Sequence, residues 1–191
     1  MRQTNFINEV FHISSQDQFG TISGFRLGRI KDFVDVDQEE INTALGQAVY
    51  LMAIIAHRFG YKFEKYKINL CGAMSTIQLK YQYSQGPNAA SKPQKYELYY
   101  GVQASTEDRF NQALEYLLDC LNSLMNDVRA KMNGHPALND RSQCYVIEGS
   151  EIGKQSIKYR QGDSGQTWTL AMKYFLTNLQ WLVYMSQLKD I

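Results

Sequence analysis

The sequence predicts an α+β fold in which a small antiparallel β-sheet followed by an α-helix occurs three times within one globular domain. Three long segments carry apolar residues at helical spacing, and the stretches before them change to the two-residue period of half-buried strands. A length of 191 residues with 44% hydrophobic residues suits one packed core. We place the single domain at 1–191 and its repeats at approximately 6–60, 61–134 and 135–191.

The first repeat combines predicted strands at 10–14 and 21–27 with a helix that ends near Gly60. Asp37 and Glu40 have the spacing of a capping box, which marks the beginning of this helix. Its apolar stripe consists of Ile41, Leu45, Ala48, Val49, Met52, Ile55, Ala56 and Phe59.

Three glycines in the first repeat, Gly20, Gly24 and Gly28, superficially resemble a phosphate-binding loop. Their spacing matches neither nucleotide-binding motif, and no helix follows at once to offer its amide groups. We therefore interpret them as tight turns between strands.

The second repeat has predicted strands at 62–70, 74–83 and 96–100 and a helix at about 106–133. Ser105 and Asp108 suggest a capping box, and Gly134 followed by Pro136 ends the helix. Lys62, Lys65 and Lys67 accompany the first of these strands. A nucleic-acid surface can have this pattern, but a solvated sheet face fits a nearly neutral chain better.

The third repeat has predicted strands at 143–148 and 155–160 and a helix at about 167–188. Leu176 and Leu179 belong to its apolar stripe, so both are expected in the core. The openings of the three helices, INTALGQAVYLM, FNQALEYLLDCL and WTLAMKYFLTNL, align without gaps. Each places a small alanine (Ala44, Ala113 and Ala171) where the helix can approach its neighbours closely, which indicates internal symmetry.

Composition narrows the possible functions. Twenty basic and 19 acidic residues give a formal charge of +1, so a nucleic-acid or membrane partner would need a local patch. No signal peptide is visible, and the longest apolar run, at 48–56, is too short to span a bilayer. Cys71, Cys120 and Cys144 lack metal-binding spacing and are interpreted as reduced thiols of the core or surface.

No constellation for catalysis is recognisable. His12, His57 and His135 lie in three different predicted elements, without a nucleophile motif beside any of them. The cysteines do not combine with them at the spacing of a zinc site. We therefore predict that the chain is not an enzyme and has no catalytic, cofactor or metal site.

Several segments together carry a resemblance to a known family. The string FHISSQDQFGTISGFRLGRI, from Phe11, with INTALGQAVYLM and KFEKYKI continuing in the same order, is similar to the opening of the C-terminal domain of the Beclin family of autophagy proteins. TWTLAMKYFLTNLQWLVYMS, from Thr167, resembles the final helix of the family. The similarity covers nearly the whole chain, and the sequence resembles a fungal-type member of the family more than an animal one, notably in the middle.

The resemblance implies three sheet-and-helix repeats and a place in class III phosphatidylinositol 3-kinase complexes, which act in autophagy and in vacuolar and endosomal protein sorting. The implied partners are the lipid kinase, its regulatory subunit and the other subunits of those complexes, but no nucleic acid. The implied location is cytoplasmic, peripheral on endosomal, vacuolar and pre-autophagosomal membranes. The coiled coil of the family is not found in this chain.

A loop before the second helix is the candidate membrane contact. Animal members have consecutive aromatic residues there, whereas this chain has QAST at 103–106. The nearest candidates are Tyr99, Tyr100 and Val102, whose side chains could enter the headgroup layer or pack within the sheet. Two functions remain open: a non-catalytic membrane-association and targeting domain, or a protein-interaction module that recruits the complex to the autophagosome assembly site without binding lipid.

Overall fold

A computed structural model describes residues 6–81, 94–101, 107–139 and 144–189. A short helix, α1 (Phe6–Val10), precedes the first sheet, which consists of β1 (Ile13–Gln16), β2 (Phe19–Ile22) and β3 (Phe25–Leu27). The long helix α2 (Gln38–Arg58) follows this sheet. The second sheet consists of β4 (Tyr66–Asn69), β5 (Thr76–Leu79) and β6 (Lys95–Glu97), and α3 (Glu107–Lys131) follows it.

The third repeat begins after a 3₁₀ turn at Pro136–Asn139. Its sheet consists of β7 (Ile147–Glu148), β8 (Glu151–Ile152) and β9 (Gln155–Ser156), and α4 (Gln166–Leu188) completes the repeat. All strand pairs are antiparallel, and each sheet has its strands in chain order. The predicted α+β class with three sheet-and-helix repeats is confirmed.

Several predicted strands have different bounds. Val10 belongs to α1, so the strand predicted at 10–14 begins only at Ile13. The strand predicted at 21–27 is a hairpin, because Ser23 and Gly24 both have positive φ and reverse the chain between β2 and β3. The two-residue strand β8 was not predicted, since turns on both sides of it leave too few residues for a visible alternation.

The helix ends follow the sequence signals in part. The Asp37 carboxylate accepts the Glu39 amide hydrogen at 3.4 Å, which confirms Asp37 as the N-cap of α2. Reciprocal capping by Glu40 is wrong, because its carboxylate accepts hydrogen bonds from the backbone N–H and the guanidinium of Arg26 instead. Ser105 lies outside the described residues, and Gly134, with φ of 88°, follows the end of α3 as predicted.

The described hydrophobic residues form one core that all three repeats share. The three aligned alanines are fully buried, and Leu176 and Leu179 are at most 1% exposed. The prediction that Gly20 lies in a turn is wrong. Gly20 lies within β2 and packs against α4, where a Cβ would lie 3.0 Å from Leu176 Cδ1. The absence of a side chain at Gly20 therefore lets the first sheet approach the last helix closely.

Candidate functional site

A polar side chain near the beginning of each long helix holds the backbone of a residue from another repeat. On α2, the Asn42 amide accepts the Tyr100 N–H at 2.7 Å and donates to the Tyr100 carbonyl at 3.1 Å. On α3, the Asn111 amide makes the same pair of hydrogen bonds to Tyr159, at 2.7 and 2.9 Å. An amide offers one acceptor and one donor side by side, so each contact, called a clasp here, acts like a neighbouring strand.

The third clasp closes a ring. On α4, the Thr169 hydroxyl accepts the Arg29 N–H at 2.9 Å and donates to the Arg29 carbonyl at 2.8 Å. The first repeat thus holds the second, the second holds the third, and the third holds the first. Close approach depends on Gly165, at the N-cap of α4, where a Cβ would lie 2.0 Å from the Arg29 oxygen.

Where the clasps meet, four rings form an aromatic cluster of Tyr100, Phe110, Tyr159 and Trp168. The ring of Tyr100 lies 4.7 Å from that of Tyr159 and 5.9 Å from that of Phe110, measured between centroids. Tyr159 is 5.1 Å from Trp168 in an edge-on arrangement. Such tilted and edge-on pairs suit aromatic quadrupoles, so the cluster joins the second and third repeats at the beginnings of their helices.

Tyr159 also carries the polar connection to the first repeat. The Arg29 guanidinium donates to the Tyr159 hydroxyl at 2.6 Å. Burial, with a smaller contribution from the hydrogen bond to Tyr100, raises the pKa of Tyr159 to about 12. The phenol is therefore neutral at physiological pH and serves as a structural hydrogen-bonding group.

The predicted loop residues lie beside this cluster. Tyr100 is half-buried, with its ring in the cluster and its backbone in the clasp of Asn42. Tyr99 is also half-buried and follows Leu98, which is fully buried at the end of the second sheet. Val102 lies outside the described residues. The described part of the chain resumes at Glu107, the first residue of α3. Phe110 of this helix belongs to the aromatic cluster and therefore holds the chain at the far end of the loop.

The lysines singled out in the sequence lie at the second sheet. Lys62 and Lys65 precede β4, so only Lys67 lies within the strand. The predicted continuous strand from residue 62 is wrong, because pairing with β5 extends only to Lys65, whose carbonyl accepts the Lys80 N–H. All three lysines are exposed, as a solvated sheet face requires.

Of the residues considered for catalysis and metal binding, His135 and Cys144 line one surface cleft, to which His12, His57, Cys71 and Cys120 do not contribute. His12 and His57 are exposed, whereas His135 is half-buried in the turn after α3. Cys120 is buried, which raises the pKa of its thiol, Cys144 is half-buried and Cys71 is exposed. Within 6–81, 94–101, 107–139 and 144–189, no three His, Cys, Asp or Glu residues converge as a metal site would require. No helix in these same ranges has the length and apolar content to cross a membrane.

A surface cleft of about 840 Å³ lies between α3, α4 and the segment that leads into β7. Arg129 stacks over the ring of Trp181 at 5.1 Å, and Val146, which is 67% exposed, lies at its rim. The cleft combines apolar and hydrogen-bonding groups, as protein-binding surfaces commonly do. Sequence patterns did not reveal it, since its residues come from three separate elements.

The clasp residues were also missed, although the sequence carried a signal for them. The aligned helix openings have Asn42, Asn111 and Thr169 directly after the first bulky residue. The predicted internal symmetry used only the repeated alanines and left this polar position out. A polar side chain repeated at one place in three amphipathic helices, next to buried positions, indicates a repeated buried hydrogen bond.

Comparison with known proteins shows which family the sequence matches. The Apg6 BARA domain family matches residues 1–188. A Beclin-1-like protein of Drosophila melanogaster is 33% identical over 181 residues, which cover 95% of this chain and 40% of the fly protein. Beclin-1 of Xenopus tropicalis is 33% identical, covering 95% of this chain and 39% of the frog protein.

A plant relative extends the range of organisms. A Beclin-1-like protein of Arabidopsis thaliana is 31% identical over 187 residues, which cover 96% of this chain and 34% of the plant protein. The chain thus spans roughly two fifths or less of the length of these relatives. Because the family match includes nearly every residue, the chain belongs to the Apg6 BARA domain family and shares this domain with the autophagy-related Beclin proteins.

Proposed function

We propose that the chain is a non-catalytic domain that attaches a class III phosphatidylinositol 3-kinase complex to membranes in autophagy and in vacuolar and endosomal sorting. Its partners would be the lipid kinase, the regulatory subunit and the other subunits of the complex. The observation that carries this proposal is the family match over residues 1–188. Any catalytic activity would then belong to another subunit of the complex.

The geometry around Tyr99 supports a membrane contact at the loop before α3. Tyr100 and Phe110 fix the two ends of this loop to the aromatic cluster, with ring centroids 5.9 Å apart. The clasp of Asn42 adds two hydrogen bonds at the first end. We assign an anchoring role to Tyr100 and the contact itself to Tyr99 and Val102, because amphipathic tyrosine rings are favoured in the headgroup layer and an apolar side chain can enter the lipid below it.

Sedimentation with anionic vesicles tests this proposal. The variant Tyr99→Asp/Val102→Asp should lose binding on the order of tenfold, since two carboxylates at the contact are repelled by the lipid. The matched control is Val146→Asp/Tyr184→Asp, which changes the same residue types at positions that are 67% and 45% exposed. Equal binding by both variants would remove the loop from the mechanism, and no binding by the unmodified chain would overturn the proposal.

The second candidate is a protein-interaction module that recruits the complex without lipid contact. The cleft beside Trp181 favours it, because an exposed Val146 and a stacked Arg129 are groups that protein interfaces use. This candidate predicts that the chain ignores vesicles while its deletion still displaces the complex in cells. Retained localisation after the deletion would contradict both candidates.

A further inference from the structure

The outer side of the second sheet carries a lysine face, which consists of Lys65, Lys67, Lys80 and Lys95. Lys67 of β4 is in register with Gln78 of β5, which is in register with Lys95 of β6. Lys65 lies across from Lys80, and the Lys80 N–H donates to the Lys65 carbonyl at 2.9 Å. All four lysines are exposed, and strand alternation places their Cβ atoms on the same side, although the Lys65 ammonium turns to Asp119 of α3.

The opposite side of this sheet is occupied by α3. The rings of Tyr66 and Tyr96 pack on Tyr116 of that helix, with centroids 4.9 and 5.3 Å apart. Ile77 of the central strand is fully buried on the same side. Since side chains alternate along a strand, this packing fixes the outward direction of Lys67 and Lys95.

Few carboxylates balance the lysine face. Glu97, at the edge of the sheet, is already held by the Arg109 guanidinium at 2.8 and 2.9 Å. Lys65 forms an exposed ion pair with Asp119 at 3.2 Å. Among the described residues, Lys67, Lys80 and Lys95 have no carboxylate partner. Within those same residues the Lys80 ammonium donates only to the Phe63 carbonyl, so the charges of Lys67, Lys80 and Lys95 remain available to an anionic partner.

We propose that the lysine face binds the anionic headgroups of a membrane, with the second sheet lying along the bilayer surface. This inference rests on the proposed function and deepens it by naming a second contact and its lipid chemistry. The residues of the loop contact follow directly after β6, at the end of the same sheet. Tyr81, which is 78% exposed, follows Lys80 at the end of the same sheet.

The arrangement favours a lipid surface over a linear polyanion. Adjacent strands lie about 4.8 Å apart, so the lysines form a two-dimensional array that a flat anionic surface contacts all at once. A nucleic acid or an acidic peptide would follow one row of this array. The four members of the face are lysines, whose compact charges suit lipid phosphates.

The test compares two triple variants of the whole chain that lose the same charge. Lys67→Gln/Lys80→Gln/Lys95→Gln neutralises the lysine face and leaves the Lys65 ion pair intact. The control Lys31→Gln/Lys154→Gln/Arg160→Gln changes three other exposed basic residues. Sedimentation is measured with phosphatidylcholine vesicles, with and without phosphatidylserine, at low and at physiological ionic strength, and circular dichroism confirms the fold of each variant.

We expect the lysine-face variant to lose about a hundredfold in affinity for the phosphatidylserine vesicles at low ionic strength, at roughly fivefold per lysine. The control should lose less than about threefold, and added salt should weaken the unmodified chain most. Equal loss by both variants would overturn the lysine face and leave the proposed function standing. The lysine face and the proposed function would both be overturned if the unmodified chain did not sediment with the vesicles. The same conclusion would follow if the chain bound single-stranded RNA but no vesicles.

Discussion

In the second sheet Lys65 lies across from Lys80 and Lys67 lies in the same row as Lys95, whereas in the third sheet Glu148 lies across from Glu151. Both sheets have three antiparallel strands in chain order, and a long helix follows each. Their exposed positions nevertheless carry opposite charges. Charge on these outer faces is therefore independent of the fold that supports them.

The interior shows the opposite relation between the repeats. Asn42, Asn111 and Thr169 make equivalent clasps, and Ala44, Ala113 and Ala171 are all fully buried. The repeated features thus lie where the repeats meet, and the differences lie on the solvent side. We infer that the shared interior specifies the architecture while each outer face is available for its own partner.

The shared interior should be most sensitive to truncation of Leu179 or Leu176. Either Leu→Ala change removes buried methyl groups and leaves a cavity, at a cost of about 2–5 kcal/mol in unfolding free energy. Denaturant unfolding measures it, with Tyr184→Ala, on the exposed side of the same helix, as the control. A loss below about 1 kcal/mol would mean that α4 does not contribute its predicted side to the core.

A clasp should be the next most sensitive feature. Asn111→Ala leaves the N–H and C=O groups of Tyr159, a residue only 3% exposed, without their partner, which should cost about 2–4 kcal/mol. The exposed Asn126 of the same helix provides the control, where Ala should change stability by less than about 0.5 kcal/mol. Equal effects at the two positions would contradict the role of the clasp.

The contact between Arg26 and Glu40 should make stability depend on acid. Hydrogen bonds from Arg26 hold the pKa of Glu40 below its ordinary value. The ionised form therefore stabilises the fold above the ordinary carboxyl pKa, and this contribution disappears as pH falls through the lowered value. Glu40→Gln should cost about 1–2 kcal/mol at neutral pH and little in acid, with Glu39→Gln, which removes an exposed carboxylate of the same helix, as the control.

The smallest effect should come from the acidic pair of the third sheet. Glu151→Lys places opposite charges across from each other, and it should stabilise the chain by about 0.2–1 kcal/mol. The gain should shrink in high salt, because both positions are exposed. Thermal unfolding at two salt concentrations measures the change. A loss of stability would contradict the claim that repulsion between Glu148 and Glu151 destabilises the third sheet.

The sequence predicted the parts of the molecule that depend on periodicity. The three long helices, their caps at Asp37 and Gly134 and the buried side of Leu176 and Leu179 all follow from spacing and turn chemistry. Strand bounds were less predictable, because strands of two to four residues contain too little alternation, as β8 illustrates.

The candidate site was predictable only in outline. Tyr99 and Tyr100 could be placed at a strand end, but the ring contact of Tyr100 with Tyr159 joins residues from different repeats. The lysine face needed the register between Lys67, Gln78 and Lys95, which local patterns do not supply. Likewise, nothing near Glu40 in the sequence distinguishes Arg26 as its partner from a capping interaction.

Hydrogen exchange on anionic vesicles tests most directly whether the outer faces have separate roles. Mass spectrometry of the unmodified chain with and without phosphatidylserine vesicles would report on both sheets in one experiment. We predict slower exchange in peptides covering β4, β5, β6 and the residues up to Val102, with no change in those covering β7, β8 and β9. Protection of the third sheet instead, or equal protection of both sheets, would contradict the account.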